Sequence, residues 1–464
     1  MDDIRIELVI SGIPGYFKLR SQHDDLFRLT ALSLKSSIEY LESKLPGNVD
    51  ILGLFNAYTE ETMARRASGE NINVPFREIF PKGIHADSGG LQMITLGKGS
   101  IEKEDRLKIY KTQLKYADSA MSFDEIPAVF IDDVRYYLPK TVKEKGIKAG
   151  EYLREQYDFF NENKDEAGHD CEIIPILQGW GKEDTELYAE GLFSQFSKEE
   201  LDSMKIVATG FPTGSPYATA MRIFDIFEAE NLPKNIRQHL HLLGVTGFKR
   251  VIPALILIKN GFTPELKTLS FDSVTLAMSY VMGGMTPSIE DFKNNIPKPR
   301  LGKKRNKAVE EYWQKIYDFW KDDPNFPFDD LDDMLEHSYY NSQGLNSGFQ
   351  QYEYYLKKDE EGNFTEENKK LADYHFMKVL KQEQYYILYQ VHNYIQILEE
   401  FLLGNIKLEH IFKGKDLTIF QGLEKVKTKE DFEDWKNYMI QRTGFKLNIL
   451  ENENKQEVAT NSLF

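Results

Sequence analysis

The chain has 464 residues, 41% of them hydrophobic and 28% charged, enough apolar material for a large core and ordinary for a globular protein. Its formal charge of −16 excludes a uniformly basic nucleic-acid binder, though not a local basic patch, and a single cysteine, Cys171, excludes a disulfide framework or a cysteine-rich metal site. The longest apolar run, VIPALILI (251–258), is too short to cross a bilayer, and Met1 leads into DDIRIELVI with no basic, then apolar, leader. No membrane contact, no signal peptide and a cytoplasmic location are therefore expected.

From residue 4 to about 285, short β-branched or apolar runs end in Gly, Ser, Asp or Pro and alternate with longer helical stretches. The predicted strands are IRIELVIS (4–11), VDILGLFNA (49–57), GIHADS (83–88), SAMSFDE (119–125), EIIPILQG (172–179), MKIVATG (204–210), HLHLLGV (239–245) and KTLSFDS (267–273). Amphipathic segments such as EDRLKIYKTQLKYA (104–117) and RVIPALILIKNG (250–261) lie between them, and charged helix is expected in the longer gap between Asp124 and Gln178. Eight such runs with helical connections predict an α/β fold, a (β/α)8 TIM barrel, with a doubly wound open sheet as the alternative.

After Pro287 the texture changes. KPRLGKKRNK (298–307) carries six cations and no acid, and reads either as a solvated linker or as a phosphate-contacting patch. Aromatic-rich helical stretches follow at 310–320, 369–404 and 429–441. The division expected is a barrel over 1–290 and a helical C-terminal extension over 291–464.

In a barrel, functional groups gather at the carboxyl ends of the strands. The predicted strand tips bring Asp87-Ser88-Gly89, Phe123-Asp124-Glu125, Gln178-Gly179, Thr209-Gly210-Phe211, Leu243-Gly244 and Phe271-Asp272-Ser273 to one mouth. Such a set suits a flat, hydrogen-bonding ligand. Glycines let backbone approach a ring, a carboxylate and a carboxamide can read a purine edge, and two further carboxylates permit nucleophilic attack and proton transfer at a glycosidic bond.

The ordered set resembles the tRNA-guanine transglycosylases and their DNA-acting relatives. That family runs DSGG(F/Y)Q, FDE, QGG, GGLAVGE, LMGVG, FDCV; here stand DSGGLQ (87–92), FDE (123–125), QGW (178–180), TGFPTGS (209–215), LLGVTG (242–247) and FDSV (271–274). The motifs cover roughly residues 80–275. The resemblance implies that Asp272 is the nucleophile toward the sugar C1′ and Asp87 the general acid/base. It implies that Asp124, Gln178 and the Gly210 backbone read the base, with Ser88, Gly89, Leu91, Gln92, Phe211 and Leu243 lining it.

Departures narrow the substrate. Trp180 replaces a glycine and Ser215 a glutamate of the family pattern, and the family's basic loop after FDCV is replaced by TLAMSYVMGG (275–284). At the family's zinc-cysteine spacing stand Glu361, Asn363 and Glu366, upstream of the His392-Asn393-Tyr394 helix. No zinc, no other metal and no cofactor are expected, and His392 is expected to be hydrogen-bonded within a helical core.

An intact catalytic set without the tRNA-facing parts implies a DNA-guanine transglycosylase of the kind found in bacteriophages and DNA-modification systems. It would exchange a flipped or single-stranded guanine in DNA for a free 7-deazaguanine base. Lys298, Arg300, Lys303, Lys304 and Arg305 are the expected phosphate contacts; Trp313, Tyr317 and Trp320 are expected to pack in the helical core rather than to hold displaced bases. A homodimer is possible by resemblance. The alternatives are a tRNA-guanine transglycosylase and a non-catalytic barrel subunit.

Overall fold

The computed structural model describes residues 4–11, 24–57, 79–89, 101–131, 134–245, 247–273, 286–294, 307–337, 352, 354–356, 363 and 365–450. All eight runs expected as strands are strands: β1 (Arg5–Ser11), β2 (Val49–Asn56), β3 (Ile84–Asp87), β4 (Ser119–Met121), then β7 (Glu172–Ile174) with β8 (Ile176–Leu177), β9 (Ile206–Thr209), β10 (His239–Leu242) and β11 (Thr268–Ser273). The numbers 5 and 6 belong to an antiparallel hairpin, β5 (Ala128–Ile131) and β6 (Val134–Tyr137). It occupies part of the gap where only charged helix was expected.

The nine other strands form one parallel sheet in the order β7-β4-β3-β2-β1-β11-β10-β9-β8. That order runs round the chain without reversing, so it has no switch point of the kind that defines a doubly wound sheet. Its two ends, β7 and β8, are separated in sequence by Pro175 alone. Proline has no N–H to give to a ladder, which interrupts the strand there. The flanking bonds continue nonetheless: Ser122 N–H donates to the Ile174 carbonyl at 3.0 Å and Ala208 N–H to the Pro175 carbonyl at 2.9 Å. The sheet is thus nearly closed and barrel-like.

Side chains alternate across it. Val9, Leu52, Leu54, Met121, Ile174, Ile176, Ile206 and Ala208 form a plug inside, separate from the outer core that holds Ile6, Leu8, Ile10, Ile51 and Phe55. Helices α1 (Asp24–Glu42), α2 (Lys103–Tyr116), α3 (Val142–Ala167), α4 (Lys182–Phe193), α5 (Lys198–Ser203), α6 (Pro216–Glu228) and α7 (Phe248–Lys259) connect the strands. The α3–α4 crossing is close because it is built on glycine: a Cβ on Gly146 would stand 2.5 Å from the Tyr188 carbonyl oxygen, and one on Gly150 2.7 Å from that of Gly191.

Beyond the sheet the described chain is helical: α8 (Ile289–Lys293), α9 (Lys307–Trp320), α10 (Leu331–Glu336), α11 (Glu366–Leu402), α12 (Leu408–Ile411), α13 (Gly414–Leu423) and α14 (Lys429–Thr443). These helices share the outer core of the sheet. The Phe224 and Phe432 rings stack at 3.7 Å between α6 and α14, and Trp313 and Trp320 of α9 are fully buried. Trp320 donates to the Tyr385 carbonyl at 3.0 Å, and the Tyr317 hydroxyl to that of Asp329 at 3.3 Å, so all three aromatics serve helix packing. No helix among the described residues is long and apolar enough to cross a membrane.

Candidate active site

The apolar plug ends where the strand tips begin, and three carboxylates stand there on β3, just after β4, and on β11. Asp87 closes β3; its Oδ2 accepts from Asn56 Nδ2 at 3.1 Å and its Oδ1 from Gly89 N–H at 3.2 Å. Gly89 makes that turn with φ of 80°, a left-handed conformation that favours glycine. Ser88 turns the other way, its hydroxyl donating to the Ser122 carbonyl at 3.1 Å. It is buried, and ties the β3 tip to the β4 tip.

Asp124 follows β4, and Gln178 Nε2 donates to its Oδ2 at 2.6 Å. The two groups expected to read opposite edges of a base are therefore joined as one unit. Gly210 gives Gln178 its place: a Cβ there would lie 3.1 Å from Gln178 Nε2. Asp272 on β11 is almost fully buried, and its Oδ1 accepts the Gly244 N–H at the tip of β10. Gly244 has φ of 63°, a left-handed conformation that favours glycine.

The charge of Asp87 reaches both of the other two acids. Burial pushes Asp124 and Asp272 each up to about 6, and in both cases the negative charge of Asp87 adds to the rise. The Gln178 amide opposes the shift at Asp124; the Gly244 amide and Arg250 oppose it at Asp272. Asp87 itself is raised by burial, against hydrogen bonds from Gly89, Ser88 and Asn56. Desolvation is thus the leading cause of the rise at Asp87.

Two arginines border the acids. Arg135 on β6 donates to the Phe211 carbonyl at 3.1 Å and feels the charge of Asp124. Arg250 on α7 donates to the Gly244 carbonyl at 2.7 Å, lies over the Phe211 ring at 5.3 Å and feels Asp272. Phe211 thus meets both guanidinium groups, Arg135 at its carbonyl and Arg250 at its ring. Leu243 is half-buried on top of the apolar plug. Beside Arg135 opens a cavity of about 500 Å³ lined by Arg135, Thr213, Ser215, Lys446 and Asn448 among others, with no carboxylate in its wall.

Arg222, on α6, has no counterpart among the sequence-based expectations. Fully buried, it donates to the Leu177 and Gln178 carbonyls at 3.0 Å each, to Thr209 Oγ1 at 2.9 Å and to Thr185 Oγ1 at 2.5 Å. It locks the tips of β8 and β9 together under Gln178 and Gly210. In sequence it looks like any helix arginine. Asn56 was within reach of the sequence, since it stands one residue before the end of a predicted strand (49–57). Ser215 is the N-cap of α6, accepting the Tyr217 N–H.

Leu91, Gln92, Lys298, Arg300, Lys303, Lys304, Arg305 and Glu361 lie outside the described residues. Asn363 is exposed, Glu366 opens α11, and His392 packs its ring 4.5 Å from that of Phe319. His392 Nδ1 has no hydrogen-bond partner, while a side-chain hydrogen bond with Asn393 opposes the lowering of its pKa by burial. Among the described residues no three His, Cys, Asp or Glu side chains gather as metal ligands. Compared with known proteins, the sequence matches no protein-family model and no curated protein.

Proposed function

We propose that the nearly closed sheet is a (β/α)8 barrel in which β7, Pro175 and β8 count as one strand, followed by a helical extension from about residue 291, and that it is a guanine transglycosylase acting on DNA. The observation that carries the reading is Asp87 within electrostatic reach of both Asp124 and Asp272, with Gln178 on one of these two acids and the Gly244 amide on the other.

In this reading a carboxylate oxygen of Asp272 bonds to the sugar C1′ as the C1′–N9 bond breaks. The departing guanine keeps the bonding electrons, and Asp87 supplies the proton to it. An incoming 7-deazaguanine then gives its N9 proton to Asp87, bonds to C1′ and displaces Asp272, so two inversions give net retention. The two acids must differ in protonation while the base is bound. The amide and Arg250 beside Asp272 favour its ionised form, whereas burial favours the protonated Asp87. Asp124 with Gln178 offers an acceptor and a carboxamide to the base edge. The cavity with Arg135 and Lys446 in its wall suits the phosphates flanking a flipped nucleotide.

Incubation with labelled guanine and either duplex DNA, single-stranded DNA or tRNA tests the reading. Label entering DNA supports it. Label in tRNA alone assigns the tRNA activity instead, and label in none removes the enzyme reading in favour of a non-catalytic barrel.

A further inference from the structure

Beneath the three carboxylates the inside of the sheet carries a line of polar groups. Glu7 of β1, His85 of β3, His239 and His241 of β10 and Ser270 of β11 share the inward parity of Val9 and Asp272, with Glu7 and His241 both in register with Ser270. His241 is fully buried. Its Nε2 lies 3.9 Å from Asp272 Oδ1, and its Nδ1 lies 2.9 Å from Ser270 Oγ. Ser270 Oγ in turn is 2.7 Å from His239 Nε2, which is 3.3 Å from Glu7 Oε2. The His85 ring meets that of His241 at 5.6 Å.

A hydroxyl has one proton, so Ser270 can donate to only one of its two imidazoles and accepts from the other. In one arrangement His239 Nε2–H donates to Ser270, and Ser270 donates to His241 Nδ1. A neutral His241 then carries its proton on Nε2, facing Asp272. In the reverse arrangement the Nε2 lone pair faces Asp272, which an ionised carboxylate repels. His241 stays neutral, because burial and the neighbouring His85 and His239 hold its pKa well below the ordinary value. Its Nε2 has no hydrogen-bond partner. The groups facing this pair are His85 from β3, Ser270 from β11, Glu7 by way of His239, and Asp87 and Arg250 beside Asp272.

We propose that His241, fixed as the Nε2–H tautomer by Ser270, is the positioning residue that orients the Asp272 carboxylate for attack. A gap of 3.9 Å is long for a direct hydrogen bond. A small shift on substrate binding, or one water, completes it. The role rests on Asp272 being the nucleophile. The arrangement follows the logic by which a third group fixes the tautomer of a histidine that serves a reacting group.

The test measures guanine exchange into DNA, and trapping of the covalent Asp272–DNA species on denaturing gels, for Ser270→Ala, Ser270→Thr and His241→Phe, each checked for native circular dichroism. Ser270→Ala and His241→Phe are expected to lower kcat roughly 10- to 100-fold, with KM for guanine within about 2-fold of wild type. They should also move the acidic limb of the pH–rate profile upward, as a carboxylate that loses a donor ionises later. Ser270→Thr keeps the hydroxyl and should restore the rate and the limb. Wild-type exchange that both variants leave unchanged, in rate and in acidic limb, overturns the role of His241 alone. Absence of wild-type exchange, or exchange that survives Asp272→Asn, overturns the site reading and the role with it.

Discussion

At the scale of single residues, Asp272 has its charge held in a costly place. Burial raises its pKa from 3.8 to about 6, and the Gly244 amide and Arg250 recover only part of that. A carboxyl whose folded pKa lies above its unfolded value keeps its proton longer in the folded state. Stability is therefore present at low pH and is lost as pH rises from about 4 to about 6. Asp272→Asn removes the charge and keeps an oxygen that can accept the Gly244 N–H. The variant should melt higher than wild type at about pH 8 and close to it at about pH 4, while guanine exchange falls to background. Scanning calorimetry at the two pH values checks this, and a lower Tm at the higher pH would show that the charge is net favourable there. The same carboxylate should set the acidic limb of kcat/KM near pH 6, since the nucleophile must be ionised.

At the scale of elements, Arg222 joins two strand tips and two helices through four hydrogen bonds. Arg222→Leu leaves the Leu177 and Gln178 carbonyls without that donor in a dry site, and should cost about 3–5 kcal/mol in urea unfolding. The α3–α4 contact gives a second test. Gly150→Ala would place its methyl 2.7 Å from a backbone carbonyl oxygen, which no rotamer relieves, and should cost roughly 1–3 kcal/mol. Both elements bear on what could be read from the chain. The strands were legible because each is a short apolar run ending in a turn residue, and Asp87, Asp124, Gln178 and Asp272 were legible because each sits at such an end. The hairpin was not. AVFIDDVRYY offers no Asn-Gly or Gly turn signal, and its four-residue strands are too short for alternation to stand out. Arg222, His239 and His241 escaped for a related reason. Nothing in a local pattern tells an inward polar residue from a solvated one; closure of the sheet puts the two histidines inside, and packing of α6 on the sheet buries Arg222.

At the scale of the whole molecule, helix α1, between β1 and β2, docks on the long helix α11 through a buried polar contact. Lys381 of α11 is 2% exposed and donates to the Ser33 carbonyl at 3.1 Å and to the Ser36 and Ser37 hydroxyls of α1 at 2.8 Å each. Ser33 also donates to Gln384 Oε1 at 2.9 Å. The amine has acceptors but no carboxylate among these contacts, and burial lowers its pKa from 10.5 to about 8, with Asp323 opposing the fall only in part. A lysine whose folded pKa is depressed is protonated in the unfolded chain over a range where the folded chain has lost the proton. The unfolded state then binds more protons between about pH 8 and 10.5, and stability rises with pH through that window. Other lysines and tyrosines titrate there as well, so the useful quantity is a difference between two proteins. Lys381→Met fills similar space without a charge. The urea midpoint of wild type relative to Lys381→Met should climb between about pH 8 and pH 10. A flat difference across that range would mean that the three seryl oxygens solvate the ammonium as well as water does, and that α1 and α11 join at no electrostatic cost.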